Sequence, residues 1–115
     1  MSFPVMPDGR CDQLAARLPQ RLEDLAGPVC GTVELPVHLV WSGLNRFDLE
    51  RPRLRMGLYR VVLTEGMRED LVRFLDAGLL VELWPVLRTL VGPAVRMVWE
   101  GAFTELAAAA RPAAA

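Results

Sequence analysis

The sequence predicts an all-α fold: a single small domain of five to six short helices, with one short strand allowed at residues 29–35. Apolar residues recur three and four positions apart through most of the chain. Glycine and proline interrupt that pattern at Gly27-Pro28, Gly43, Gly66, Gly78 and Gly92-Pro93. Length is the third observation, because 115 residues hold one hydrophobic core and leave no room for a second. The chain is expected to divide into a flexible leader over residues 1–10, a helical domain over 11–106, and a disordered Ala-rich tail over 107–115 broken by Pro112.

The elements follow in order. Asp12 is placed to cap a first helix from about Gln13 to Ala26, with Leu14, Leu18, Leu22 and Leu25 on one face. Pro19 lies inside this pattern, where it kinks or splits a helix. Val29, Gly31, Val33 and Leu35 alternate with Cys30, Thr32 and Glu34, the spacing of a strand. A lone strand needs a partner, and no second convincing strand stands in the chain, so it is expected to pair with another chain or to remain extended loop. From Pro36 to Trp41 the pattern turns helical again until Ser42-Gly43.

The clearest helix begins at Pro52, with Leu54, Leu58, Val61 and Val62 as its stripe and Gly66 at the position of a left-handed C-terminal residue. Glu69 and Asp70 enrich the first turn of the next, from about Met67 to Asp76, which Gly78 closes. Leu79, Leu80, Leu83, Trp84 and Leu87 form a segment apolar on nearly every side, with Pro85 starting a turn or a kink. A terminal amphipathic helix runs from Pro93 through Val95, Val98, Trp99, Ala102, Phe103 and Leu106.

Composition narrows the function. The chain is 52% hydrophobic and 23% charged with mean hydropathy +0.25, which is not the signature of disorder. Thirteen basic residues, all arginine, face fourteen acidic ones, so the molecule has no global field for nucleic acid or acidic membrane. Cys11 and Cys30 lack paired CxxC spacing and read as reduced packing residues. The first ten residues lack a basic stretch followed by an apolar one, and no run approaches a membrane span, so a cytoplasmic protein is expected.

Catalytic options are few. His38 is the only histidine, and neither Ser2 nor Ser42 stands in a nucleophile elbow. Phosphate-binding, dinucleotide and metalloprotease motifs are absent, so no cofactor and no metal are expected. The acid pairs Glu23-Asp24, Asp48 with Glu50, and Glu69-Asp70 are explained by a solvated face, a helix cap and a first helical turn. The sequence therefore predicts a protein that is not an enzyme.

Two features remain for binding. Arg46, Arg51, Arg53, Arg55 and Arg60 form a basic segment, able to contact an acidic protein or phosphates. A helix-turn-helix reading of residues 67–87 is disfavoured, because the second helix exposes only Glu82 to a groove. Trp41, Trp84 and Trp99 are candidate interface anchors beside Tyr59, since a chain this apolar is not expected to bury all its hydrophobic surface alone. The expected partner-binding residues are Trp41, Arg53, Arg55, Tyr59, Arg60, Trp84 and Trp99. The expected partner is another protein or a second copy, with nucleic acid the alternative and no membrane.

The string Leu35-Pro36, Leu39, Trp41-Ser42-Gly43, Phe47-Asp48-Leu49, Pro52-Arg53, Arg55, Tyr59, Val62-Leu63, Glu65-Gly66, Asp70, Leu80, Leu83-Trp84-Pro85, Val95-Arg96 and Trp99 resembles a group of small actinobacterial proteins labelled hypothetical or transcriptional regulator. Some members accompany a nucleotidyltransferase-type toxin. The resemblance covers residues 27–99, carries no catalytic residue, and implies an antitoxin-like or regulatory role.

Overall fold

The computed structural model describes residues 10–40 and 45–110, with side chains from residue 13 onward. The elements are α1 (Arg10–Arg17), a 3-10 turn (Leu22–Asp24), β1 (Thr32–Glu34), β2 (Arg46–Asp48), α2 (Pro52–Glu65), α3 (Arg68–Phe74), α4 (Ala77–Leu90), α5 (Pro93–Ala102) and α6 (Thr104–Ala110). The predicted mostly helical small domain is the observed one, with a two-stranded hairpin added.

Helix α1 begins ahead of Asp12 and stops at Arg17 rather than Ala26. Pro19 is the reason: it disfavours helical backbone at Leu18 and supplies no amide donor. The 3-10 turn still delivers Leu22 and Leu25 to the core. Beyond it, Ala26 N donates to Val72 O at 2.8 Å and Gly27 N to Leu75 O at 2.7 Å, filling carbonyls that the end of α3 leaves open. Gly27 is required by space, since a Cβ there would lie 2.6 Å from the backbone N of Leu75.

The strand expected at 29–35 finds its partner inside the chain, which corrects the expectation that no second strand exists. β1 and β2 are antiparallel, with Thr32 opposite Asp48, Val33 opposite Phe47 and Glu34 opposite Arg46. Leu49 N donates to Gly31 O and Leu35 N to Asn45 O, each at 2.8 Å. Val33, Leu35, Phe47 and Leu49 all face inward and are buried. Gly31 takes a left-handed φ of 86°, the one position among the described residues where the turn demands glycine. Pro36 to Val40 makes a single turn and not a helix, closed by Leu39 N to Pro36 O at 3.0 Å; Trp41-Ser42-Gly43 lie outside the described residues.

Three further expectations are corrected in the helices. Asp48 does not cap α2; its Oδ1 accepts from Glu50 N at 2.9 Å and shapes the turn out of β2, while Arg51 is the N-cap residue. Gly66 ends α2 in extended backbone, φ −79°, and is glycine because a Cβ would lie 2.6 Å from Val62 O. Gly78 does not close α3: Asp76 caps α4 through Oδ2, accepting from Leu79 N at 3.0 Å, so Gly78 sits in the first turn of α4. Pro85 lies on the exposed side of α4, and the helix continues through it.

The terminal helix is two helices. Phe103 adopts extended backbone between α5 and α6, which lets Trp99, Phe103 and Leu106 all turn inward. The Trp99 and Phe103 rings meet at 5.5 Å. Residues 107–110 continue α6, with Ala109 and Ala110 against the core, so the expected tail from 107 is helical this far. Helix α4 is the central element: α2, α6 and the 3-10 turn pack on it, while α1 packs on α5. Arg68 fastens α3 to α1 through a guanidinium hydrogen bond to Ala16 O at 2.7 Å.

Candidate functional site

The aromatic residues expected at the surface are in the core. Trp84, Trp99 and Tyr59 expose 0%, 1% and 0% of their surface, so none of them is an anchor for a partner of the folded chain. The reason is the bent path of the chain: α2, α6 and the 3-10 turn pack around α4 and cover its apolar faces. Trp41 lies outside the described residues. Among the described residues, the large apolar side chains left outside are Val86 and Leu90, four apart on α4, and Val29, Val37, Met67 and Met97 from separate segments.

The polar groups with catalytic chemistry are engaged in holding elements together. His38 Nε2 sits 3.1 Å from both carboxylate oxygens of buried Asp70, whose Oδ2 also accepts from Met67 N at 3.0 Å. This pair ties the Pro36 turn to the start of α3. The Tyr59 hydroxyl accepts from Asp76 N at 2.9 Å, and burial pushes its pKa up to about 12. Glu100 Oε2 accepts from Arg88 Nε at 2.6 Å and Trp84 Nε1 at 2.8 Å, which joins α4 to α5. The Arg88 hydrogen bond holds the Glu100 carboxyl below its ordinary range against the opposing effect of burial, and Trp84 adds to it. The same bond raises the Arg88 guanidinium.

Among the described residues, no group of three or more His, Cys, Asp or Glu side chains is placed to hold a metal ion. No helix among them is long and apolar enough to cross a membrane. Cys30 is a free, exposed thiol in the bend before β1, which corrects its reading as a packing residue.

The arginine segment separates into distinct environments. Arg46 faces Glu34 across the hairpin at 4.0 Å, and Arg51 faces Asp48 at 3.9 Å; both are loose, exposed pairs. Arg55 is half-buried beside Tyr59, and its Nε is buried with no hydrogen-bond partner among the described residues. Arg53 and Arg60 project from the outer side of α2 two turns apart, and neither forms an ion pair among the described residues. At the start of α2, Arg51, Pro52, Arg53 and Leu54 line a shallow depression of about 450 Å³. It combines guanidiniums with apolar surface, the composition enriched in protein interfaces.

Sequence reasoning missed Asp76, Glu100 and the His38–Asp70 pair. Asp76 carried a signal, an acidic residue directly before an apolar-periodic run. The other two join residues 12 and 32 positions apart, and nothing local marks them.

No protein-family model, curated protein or solved structure matches this chain.

Proposed function

We propose that this chain is a cytoplasmic, non-enzymatic interaction protein, antitoxin-like in the sense that the resemblance over residues 27–99 implies. Its docking centre is the Arg51–Leu54 corner. The observation that carries this reading is the contrast between two sets of side chains. His38, Tyr59, Asp76 and Glu100 spend their hydrogen bonds on fastening one element to another, while Arg51 and Arg53 stand exposed around an apolar depression. Such a corner suits an acidic protein surface with an apolar centre, where the charges set approach and register. It replaces the tryptophan-rich surface expected from the sequence.

The test coexpresses the chain with the protein encoded beside it and follows co-purification and relief of toxicity. Arg51→Glu/Arg53→Glu is expected to abolish both while leaving the helical circular dichroism intact. Retention of the complex by this variant, or no complex with the parent chain, overturns the reading.

A nucleic-acid reading draws on the exposed guanidiniums of Arg53 and Arg60, which form no ion pair among the described residues. It requires binding that weakens steeply with salt and falls in Arg53→Ala/Arg60→Ala. A shift insensitive to salt, or none at low salt, removes it.

A further inference from the structure

The hairpin leaves one backbone edge open. Leu49 N donates to Gly31 O and Leu35 N to Asn45 O, so Gly31, Val33 and Leu35 turn their peptide groups toward β2. Alternation along a strand then directs the amides and carbonyls of Thr32 and Glu34 the other way. Among the described residues those groups have no hydrogen-bond partner. Both side chains are exposed, with buried Val33 between them. The opposite edge is occupied: α2 packs on β2, and Asp48 O accepts from Arg51 N at 3.0 Å.

Unpaired peptide groups at a sheet edge are a template for another strand, and proteins blunt such edges with proline or basic residues. Thr32–Glu34 contains neither.

The residues of β1 select the strand that fits. In an antiparallel pair of two β1 strands with Val33 opposite Val33, Thr32 of each copy lies opposite Glu34 of the other. Thr32 and Glu34 then exchange both of their outward hydrogen bonds, once on each side of the axis. Centring the pair on Glu34 would set two carboxylates face to face, which is unfavourable. Centring it on Thr32 would leave Glu34 opposite Cys30, which lies in a bend outside the strand. The Val33 register also brings Val29 of one copy and Val37 of the other to the same end of the joined sheet. Their own chain leaves these side chains 54% and 73% exposed.

We propose that a second copy of this chain pairs with the open edge of β1, antiparallel and two-fold about Val33, giving one continuous sheet in the order β2-β1-β1-β2. The strand is short, so the pair forms and separates reversibly with concentration. The Arg51–Leu54 corner lies on the β2 side of the hairpin, away from this edge. Arg51→Glu/Arg53→Glu should therefore leave the pair intact, and the two readings fail separately.

The experiment is sedimentation equilibrium of the full chain over a range of concentrations, with amide hydrogen exchange at the two ends of that range. The expected species is a reversible dimer of the 12.8 kDa chain. The Thr32 and Glu34 amides should exchange freely in the monomer and about tenfold or more slowly in the dimer. Glu34→Pro removes an outward amide without touching the bonds to β2, and should weaken association by about tenfold or more while the helical circular dichroism is retained. Thr32→Lys places an ammonium opposite Glu34 of the other copy and should tighten association by about threefold. A monomer at every concentration overturns the proposal. So does a dimer whose Thr32 and Glu34 amides still exchange freely, and so does a dimer that either substitution leaves unchanged.

Discussion

Alkaline pH should destabilise this protein through one residue. Tyr59 is the only tyrosine in the chain, fully buried on α2, with its hydroxyl accepting from Asp76 N at 2.9 Å just before α4. Burial raises its pKa from 10.0 to about 12, because a phenolate has no water there to solvate it. The folded value lies above the unfolded one, so the associated stability is fully present below pH 10 and is lost as pH rises through about 12. A shift of that size corresponds to roughly 3 kcal/mol, a large part of the 5–15 kcal/mol that holds a domain together. At neutral pH, Tyr59→Phe leaves the Asp76 amide without its acceptor and should cost about 1–3 kcal/mol. Above pH 10 that variant has no phenol to ionise, so the stability gap to the parent should narrow and then reverse. The assay follows the phenolate absorbance band, which reports this single residue, alongside helical circular dichroism during a base titration. Ionisation in the folded chain should have its midpoint near 12, and stability should fall as pH rises from 10 through about 12. A phenolate band that rises with a midpoint near 10 while the helical signal stays intact would refute the reasoning.

Three further outcomes are expected. Glu100→Gln should lower the melting temperature at neutral pH, and its penalty should shrink in acid: the folded carboxyl titrates below its ordinary value, so its contribution is present above the unfolded pKa and lost as pH falls through the folded one. Thermal melts across pH check this. Gly27→Ala should destabilise by about 1–3 kcal/mol, because its Cβ would press on the backbone of Phe74 and Leu75, whereas Gly101→Ala, with nothing within 4 Å, should stabilise by about 0.5 kcal/mol; chemical denaturation of the two variants compares them. Trp84→Ala should cost about 3–5 kcal/mol through the cavity left at the centre of α4 and the loss of its hydrogen bond to Glu100, read in the same denaturation experiment.

Helices α2 and α3 were legible in the sequence because their signals are local. Proline at the first turn, acids at the start of α3 and apolar residues three and four apart act within a few residues of where they stand, and α2 and α3 fall close to where these signals place them. The basic residues of the docking corner were legible for the same reason, since Arg51 and Arg53 flank the helix start that Pro52 marks. β2 was not. Its three residues put one apolar side chain, Phe47, between two charged ones, and only pairing with β1 through backbone hydrogen bonds makes that a strand. Arg46 and Asp48 read as charges in the sequence, whereas their alternation with Phe47 and Leu49 is the structural signal.

Length, composition and local apolar spacing determined that this chain folds into one small, mainly helical domain without global charge, because the first two are sums over residues and the third acts within a few positions, so none depends on neighbours in space. Which apolar residues remain outside was decided by the tertiary structure alone. Trp84 and Trp99 are as apolar and periodic as any exposed anchor, yet the breaks at Leu18, Leu75 and Phe103 bend the chain until α4 and α5 are enclosed by their neighbours. Burial is a property of the whole packing, and so Trp84 and Trp99 lie inside while Arg53 and Arg60 of α2 stay exposed.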